Sequence, residues 1–282
     1  MINMIKLKPE KYHIVLPLIE KVNFNKLFAL SVVKNMVRGR IFVDNSSSPG
    51  TCLIAHKYGN SLLCGNTENN QFNKKLLSYF ANEKINNDFT KKILVYQKIW
   101  NKKLKELLGE YLKFTSESHS NIKNPFVFKK ERLNFIYPRN FIPIMPDLNK
   151  GLMLKRIDKI LFKKIKGSIS PVKYWNNADD FLFNGAGFCL IKDNKIASYC
   201  FSAYVIGSKM EFAIETNISY RNMGYSIYPL SAMVNYCLTS GFEPVWAFMK
   251  DNTASVKIAQ KIGFIHETTI PAYMIPQKKE QA

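Results

Sequence analysis

Apolar and polar positions alternate along the chain in a way that predicts mixed α and β structure from end to end. From Glu10 to Arg38 the spacing predicts two helices, the second carrying Leu27, Leu30, Val33 and Val37 on one face before Gly39 ends it. Three strands follow at Arg40–Asp44, Thr51–His56 and Ser61–Cys64, joined by turn-rich polar residues. Then come a helix over Phe72–Ala81, a strand at Lys92–Tyr96, a helix over Lys98–Leu108, and extended pieces at Tyr111–Thr115 and Phe126–Lys130.

Ser116 to Pro125 is polar and breaks the pattern, which predicts a first domain over residues 1–125 and a second over 126–282. Pro138, Pro143 and Pro146 disfavour helix after it. The pattern resumes with a strand at Leu152–Arg156, a helix over Asp158–Ile165 that Asp158 can cap, and a helix over Tyr174–Phe183. Gly187–Ile191 and Lys195–Tyr204 read as a hairpin turning at Lys192-Asp193-Asn194. A strand over Lys209–Asn217, a helix over Ser226–Thr239, a strand at Val245–Met249, a helix over Thr253–Ile262 closed by Gly263, and an extended Phe264–Ile275 complete the chain. The two halves share one order of elements, which suggests two copies of an α/β unit with a mixed sheet.

Composition narrows the class. With 282 residues and 46% hydrophobic content the chain can bury a large core. The first ten residues lack the apolar run of a signal peptide, and no stretch reaches the ~18 apolar residues of a membrane span, so a cytoplasmic location and no membrane partner are expected. Cys52, Cys64, Cys189, Cys200 and Cys237 are scattered in apolar surroundings, as reduced core residues would be. His13, His56, His119 and His266 are dispersed too, and no metal site is expected. A net charge of +20 would attract polyanions, but the lysines are spread along the chain rather than gathered in a run, and nothing else supports nucleic acid as a partner.

Candidate chemistry gathers at Glu215-Thr216-Asn217-Ile218-Ser219-Tyr220-Arg221-Asn222-Met223-Gly224-Tyr225-Ser226, where a strand yields to a turn and a helix. Such a junction leaves backbone N–H groups unpaired at the positive end of a helix dipole, which suits phosphate or pyrophosphate. Gly224 permits close approach or a positive φ, and Arg221 adds charge. The corresponding turn of the first half, Cys64-Gly65-Asn66-Thr67-Glu68-Asn69-Asn70, has an acidic residue and no arginine, and makes a poor phosphate site. On the strand before the loop, Glu211, Ala213 and Glu215 share one face by alternation, so two carboxylates are candidates for a general base. Solvation or pairing with lysines is the competing reading for both.

The C-terminal half, about Gly151 to Ile275, resembles the GNAT superfamily of acyl-CoA-dependent N-acyltransferases. Arg221-Asn222-Met223-Gly224-Tyr225-Ser226 is similar to that family's (Arg/Gln)-x-x-Gly-x-(Gly/Ala) pyrophosphate loop. Asn252 to Phe264 is similar to the Asn-helix-Gly-Phe segment that follows its fifth strand. More loosely, Val22–Phe80, Glu215-Thr216 and Pro244-Val245-Trp246 resemble a two-domain bacterial branch of the family, one that includes a zwittermicin self-resistance acetyltransferase. The resemblance implies a GNAT fold in the second half, a degenerate GNAT-like unit in the first, and acetyl-CoA lying in an opening between two parallel strands. It implies donor contacts from Thr216, Asn217 and Ile218 near the acyl carbonyl and from Arg221, Asn222, Met223, Gly224, Tyr225 and Ser226 at the pyrophosphate. Asn252, with Ser255 on the same first turn, would meet the pantetheine arm.

It further implies acetyl transfer to a primary amine of a small molecule, such as an amine-bearing antibiotic, by a monomer or homodimer, with Glu211 or Glu215 as base. One feature departs from the family pattern: Ala259 stands where many members have a tyrosine that protonates the leaving thiolate, and Tyr225 and Tyr273 lack motif support as replacements. Two other readings stay open, a basic GNAT-like protein that binds RNA or another polyanion without turnover, and a protein or peptide N-acetyltransferase.

Overall fold

The computed structural model describes residues 4–81, 92–96, 98–114, 127–141, 145–148 and 150–275. The predicted linker Ser116–Pro125 and Pro143 lie outside the described residues. The chain divides into two compact units, the first built from Met1–Arg132 with Thr269–Ala282 and the second from Leu133–Thr268. The division thus differs from a cut at residue 125, because the chain's end returns to the first unit.

In the first unit, strands β1 (Ile5–Lys6), β2 (Gly39–Val43), β3 (Thr51–His56) and β4 (Asn60–Gly65) pair antiparallel in sequence, and β5 (Lys92–Val95) joins β4 in parallel. Past β5 lies the end of β13 (Ile265–Met274), where Ala272, Tyr273 and Met274 face Leu94, Ile93 and Lys92. Short β6 (Leu112–Phe114) pairs in parallel with the start of β7 (Val127–Ile136). Helices α1 (Leu16–Glu20), α2 (Leu27–Val33), α3 (Asn70–Ala81) and α4 (Lys98–Leu108) cover this sheet. The region expected as the first helix opens instead with a 3-10 segment at Pro9–Val15. The second helix ends at Val33, before Gly39, and Asn35 just past it is left-handed at φ 55°. Gly39 itself sits in β2, where a Cβ would come within 2.4 Å of Val32. Phe72, Leu76, Trp100 and Leu104 from α3 and α4 pack on Leu53, Leu63 and Ile93 of the strands, each contributing about 1.5–3 kcal/mol by burial.

The second unit repeats the plan. Strands β8 (Leu152–Arg156), β9 (Gly187–Lys192), β10 (Lys195–Ile206) and β11 (Lys209–Thr216) run antiparallel in order, and β12 (Glu243–Met249) joins β11 in parallel. The end of β7 follows β12, and Tyr137 donates its N–H to Pro244 O at 3.1 Å. Helices α5 (Lys159–Lys164), α6 (Pro171–Tyr174) and α7 (Ala178–Asn184) precede β9, with α8 (Ile227–Thr239) and α9 (Thr253–Ile262) on either side of β12 in sequence.

The helix expected over Tyr174–Phe183 is broken into α6 and α7 at Trp175–Asn177. Trp175 is buried with its indole N–H on Ser202 O at 2.8 Å, and Asn177 caps α7 by accepting from Asp180 N at 2.8 Å. Asp158 caps α5 as its position predicts, accepting from Leu161 N at 2.8 Å. The hairpin after β9 turns on Asp193 and Asn194, both at positive φ. Gly263 ends α9 at φ 108° with its N–H on Ala259 O and Gln260 O, while Phe264 N reaches Ala259 O.

Candidate active site

Alternation on β11 sorts its side chains between two environments. Met210, Phe212 and Ile214 pack with Leu230, Met233 and Val234 of α8, in a core shared with Trp246 and Phe248 of β12. Glu211, Ala213 and Glu215 therefore take the other face. There the neighbouring strand β10 brings Tyr199 opposite Glu215 and Phe201 opposite Ala213, and Tyr174 of α6 stacks edge-on to Phe201 at 5.5 Å.

The two carboxylates have different surroundings. Glu215 Oε2 accepts from Ile169 N at 2.7 Å and Tyr199 Oη at 3.0 Å, and Oε1 accepts from Ser168 Oγ at 3.1 Å. The single Tyr199 Oη proton is shared with Ile169 O at 2.7 Å, and Lys173 Nζ donates to Gly167 O and Ser168 O at 2.8 Å each. Gly167 allows this packing, since a Cβ there would lie 2.5 Å from Tyr199 Oη and 2.6 Å from Glu215 Oε2. Among the described residues Glu215 is thus held by hydrogen bonds and pairs with no lysine. Its carboxylate ties the segment between α5 and α6 to the strand. Glu211 is 3% exposed.

Parallel pairing of β11 with β12 covers only Lys209 with Glu243, Met210 with Pro244 and Glu211 with Val245. Both strands continue beyond that point, to Thr216 and Met249, without pairing with each other, so they part after the rung of Glu211. On its other side β11 stays zipped to β10, and Asn217 N donates to Ala197 O at 2.9 Å. Antiparallel rungs alternate, so the backbone groups of Ile214 and Thr216 turn away from β10 toward the opened side.

The loop after β11 is shaped by local bonds. Asn217 Oδ1 accepts from Ser219 N at 3.2 Å, a 3-10 turn spans Ile218–Tyr220, and Arg221 Nε donates to Thr216 O at 3.2 Å. Ile218 is 77% exposed. Asn222 at φ 63° and Gly224 at φ 74° are both left-handed. Among the described residues none accepts a hydrogen bond from the N–H groups of Asn222, Met223, Gly224, Tyr225 or Ser226, and these precede α8, whose dipole is positive at that end. No described atom stands within 4 Å of a Cβ built on Gly224. The row is open to an anion.

Asn252 Oδ1 accepts from Ser255 N at 3.1 Å and so caps α9; its amide nitrogen and the Ser255 hydroxyl have no partner among the described residues. Ala259 is fully buried in the core, so no acid occupies the position where family members carry tyrosine. Tyr273 belongs to the first unit, fully buried, with its hydroxyl on Asn101 Oδ1 at 2.6 Å and its pKa pushed up to about 12 by burial. Tyr225 Oη instead accepts from Lys192 Nζ at 2.9 Å. All five cysteines are free and buried, and burial raises Cys189 and Cys237 to about 12, which keeps both thiols protonated and unreactive. Among the described residues no three His, Cys, Asp or Glu side chains form a metal-binding group, and no helix is long and apolar enough to cross a membrane.

Gly167, Ser168, Ile169, Tyr199 and Lys192 were not singled out for chemistry by the sequence. Ser168 and Ile169 lie 47 and 46 positions from the carboxylate they serve, and no local spacing signals such a pairing.

A mixed sheet whose parallel pair opens beside an unsatisfied helix-entry loop defines an α/β fold of the N-acyltransferase type. The chain belongs to the GNAT acetyltransferase family, whose model matches residues 17–273, and it is an acyltransferase. It is 25% identical over 252 residues to a Bacillus subtilis (strain 168) protein called uncharacterized N-acetyltransferase YdfB, covering 88% of each chain. In fold it is similar to a GCN5-related N-acetyltransferase-like protein from Streptococcus suis 89/1591, with a TM-score of 0.69, 18% identity and 95% and 99% of the two chains covered. It is similar also to a tandem GNAT protein from the clavulanic acid biosynthesis pathway, with a TM-score of 0.58, 10% identity and 96% and 97% covered. The repeated strand order of the two units agrees with a tandem arrangement.

Proposed function

We propose that the chain transfers the acetyl group of acetyl-CoA to a primary amine of a small molecule, and that the second unit holds the donor. The observation that carries this reading is the opened β11–β12 pair beside the free N–H groups of residues 222–226. The pyrophosphate would lie on those groups, with Arg221 adding charge, and the pantetheine arm would bond to the exposed backbone of Ile214 and Thr216. Ile218 and Asn217 border the acyl end of this path, and Asn252 offers its amide nitrogen from the α9 side.

In this scheme the free amine attacks the thioester carbonyl carbon. A C–N bond forms, the C–S bond breaks, and the CoA sulfur leaves with the electron pair. The amine proton passes to a carboxylate, directly or through water. Glu211 is assigned that role because it stands on the last paired rung, after which the two strands part. Glu215 is assigned a positioning role, since both its oxygens already accept from Ser168, Ile169 and Tyr199. With Ala259 buried, the thiolate takes its proton from solvent.

Isothermal titration with acetyl-CoA is the direct test. Saturable binding is expected, and no binding at millimolar ligand would sink the reading. A screen of amines by release of free CoA thiol then identifies the acceptor; donor binding with no turnover on any amine, peptides included, would instead favour a non-catalytic role.

A further inference from the structure

Lys192 ends β9 beside a turn in which Asp193 at φ 48° and Asn194 at φ 58° are both left-handed. That two-residue geometry matches the twist of paired strands and fixes Lys192 opposite Lys195. From this fixed base Lys192 Nζ donates to Tyr225 Oη at 2.9 Å and lies 5.4 Å from the centre of the Tyr225 ring, which in turn lies 6.1 Å from the ring of Tyr220. Tyr225 is one of the residues whose backbone N–H is open. A cation from a strand 33 positions upstream is therefore moored to the loop that lacks an anion.

An ammonium group has three donors, and the tyrosine takes one. The bond with Tyr225 raises the Lys192 pKa, so the group stays charged throughout the neutral range. A single exposed contact of this kind adds little to stability, and its position beside the open N–H row gives it a use that packing does not.

We propose that Lys192, held by Tyr225, is a phosphate-binding residue of the donor site and contacts a phosphate of acetyl-CoA. This rests on the assignment of the donor to the loop at 222–226. Two phosphate sources exist on that molecule, the pyrophosphate and the 3′-phosphate of the ribose.

The test measures dissociation constants by calorimetry for acetyl-CoA and for acetyl-dephospho-CoA, at low and high salt, in the wild type, Lys192→Met, Lys192→Arg, Tyr225→Phe and Gly224→Asp. Lys192→Met is expected to weaken acetyl-CoA binding by about two- to fivefold at low salt, the size of a partly screened charge pair, and by less at high salt. Lys192→Arg should restore the wild-type constant, and Tyr225→Phe should fall between the two. If Lys192→Met weakens both ligands equally, the lysine reads the pyrophosphate; if it weakens only acetyl-CoA, it reads the 3′-phosphate. An unchanged constant in Lys192→Met, with binding lost in Gly224→Asp, overturns the role of Lys192 and leaves the donor site standing. Undiminished binding in Gly224→Asp overturns the donor site itself. A loss in Lys192→Met that is insensitive to salt, or that Arg does not rescue, also overturns the phosphate role.

Discussion

The two units carry the same strand order with one parallel pair each, but they treat that pair in opposite ways. In the first unit β4 and β5 pair from Asn60 with Lys92 to Leu63 with Val95, and Tyr96 N still reaches Leu63 O at 3.0 Å. The turn that follows is hydrogen-bonded from within, beside a cavity of about 330 Å³ lined by Gly50, Gly65, Asn66, Thr67, Glu68 and Tyr96 among others. Trp100 Nε1 donates to Gly65 O at 2.8 Å, Asn66 N to Gly50 O at 2.8 Å, Thr51 Oγ1 to Asn66 O at 2.7 Å, and Asn73 Nδ2 to Thr67 O at 2.7 Å. Glu68 adds negative charge, its carboxyl held below the usual range chiefly by the Thr67 hydroxyl and by Lys103. In the second unit β11 and β12 part after three rungs, and the turn leaves its N–H groups unspent. The two units thus differ in whether the chain satisfies its own backbone at that junction.

Variants can break this contrast. The largest effect is expected from Glu211→Gln, which should lower turnover by about 10²- to 10⁴-fold with donor binding retained, as loss of a general base does. Glu215→Gln should cost far less and leave the pH–rate profile in place; the reverse ranking would exchange the two roles. Next, Gly224→Asp should weaken acetyl-CoA binding by about a hundredfold or more, through a carboxylate set against the pyrophosphate. No described atom stands within 4 Å of the new Cβ, so circular dichroism should be unchanged and melting should fall only by the ~1 kcal/mol that a positive φ costs.

A glycine at the first unit's turn should respond in stability instead. A Cβ on Gly65, at φ 102°, would come within 2.2 Å of Gly50 O and 2.8 Å of Thr51 Cα. Gly65→Ala is expected to cost about 3 kcal/mol in denaturant unfolding. Gly224→Ala, with only its positive φ to satisfy, should cost about 1 kcal/mol. Equal costs would show that the first turn is not locked. A further effect on stability concerns acid. Burial, with some repulsion from Lys57, lowers the His56 pKa from its ordinary 6.5 to about 3, while its Nδ1 accepts from Tyr58 N at 3.0 Å. The unfolded chain takes up a proton below pH 6.5 and the folded one does not, so stability is full above pH 6.5 and is lost as pH falls toward 3. The loss should reach about 2 kcal/mol at pH 5. His56→Asn should flatten melting temperature against pH between 7 and 5, and an equally steep curve would place the acid sensitivity elsewhere.

Much of this was legible along the chain because it depends on short-range rules. Strand alternation put Glu211 and Glu215 on one face, and Asp158 and Gly263 marked helix ends. What failed was also local in origin: a helical pattern over Tyr174–Phe183 gave way because burying Trp175 against Ser202 and capping at Asn177 outweighed continuity.

Consecutive residues and periods of two or 3.6 encode the repeated order of elements, the Arg221–Ser226 loop and the two carboxylates. Long-range packing is what parts β11 and β12 at the rung of Glu211, holds Glu215 on Ser168, Ile169 and Tyr199, brings Lys192 to Tyr225, and returns residues 269–275 to the first unit. Those outcomes depend on which distant strands and loops are brought into contact, and hydrogen-bond satisfaction across dozens of residues has no signature in local spacing.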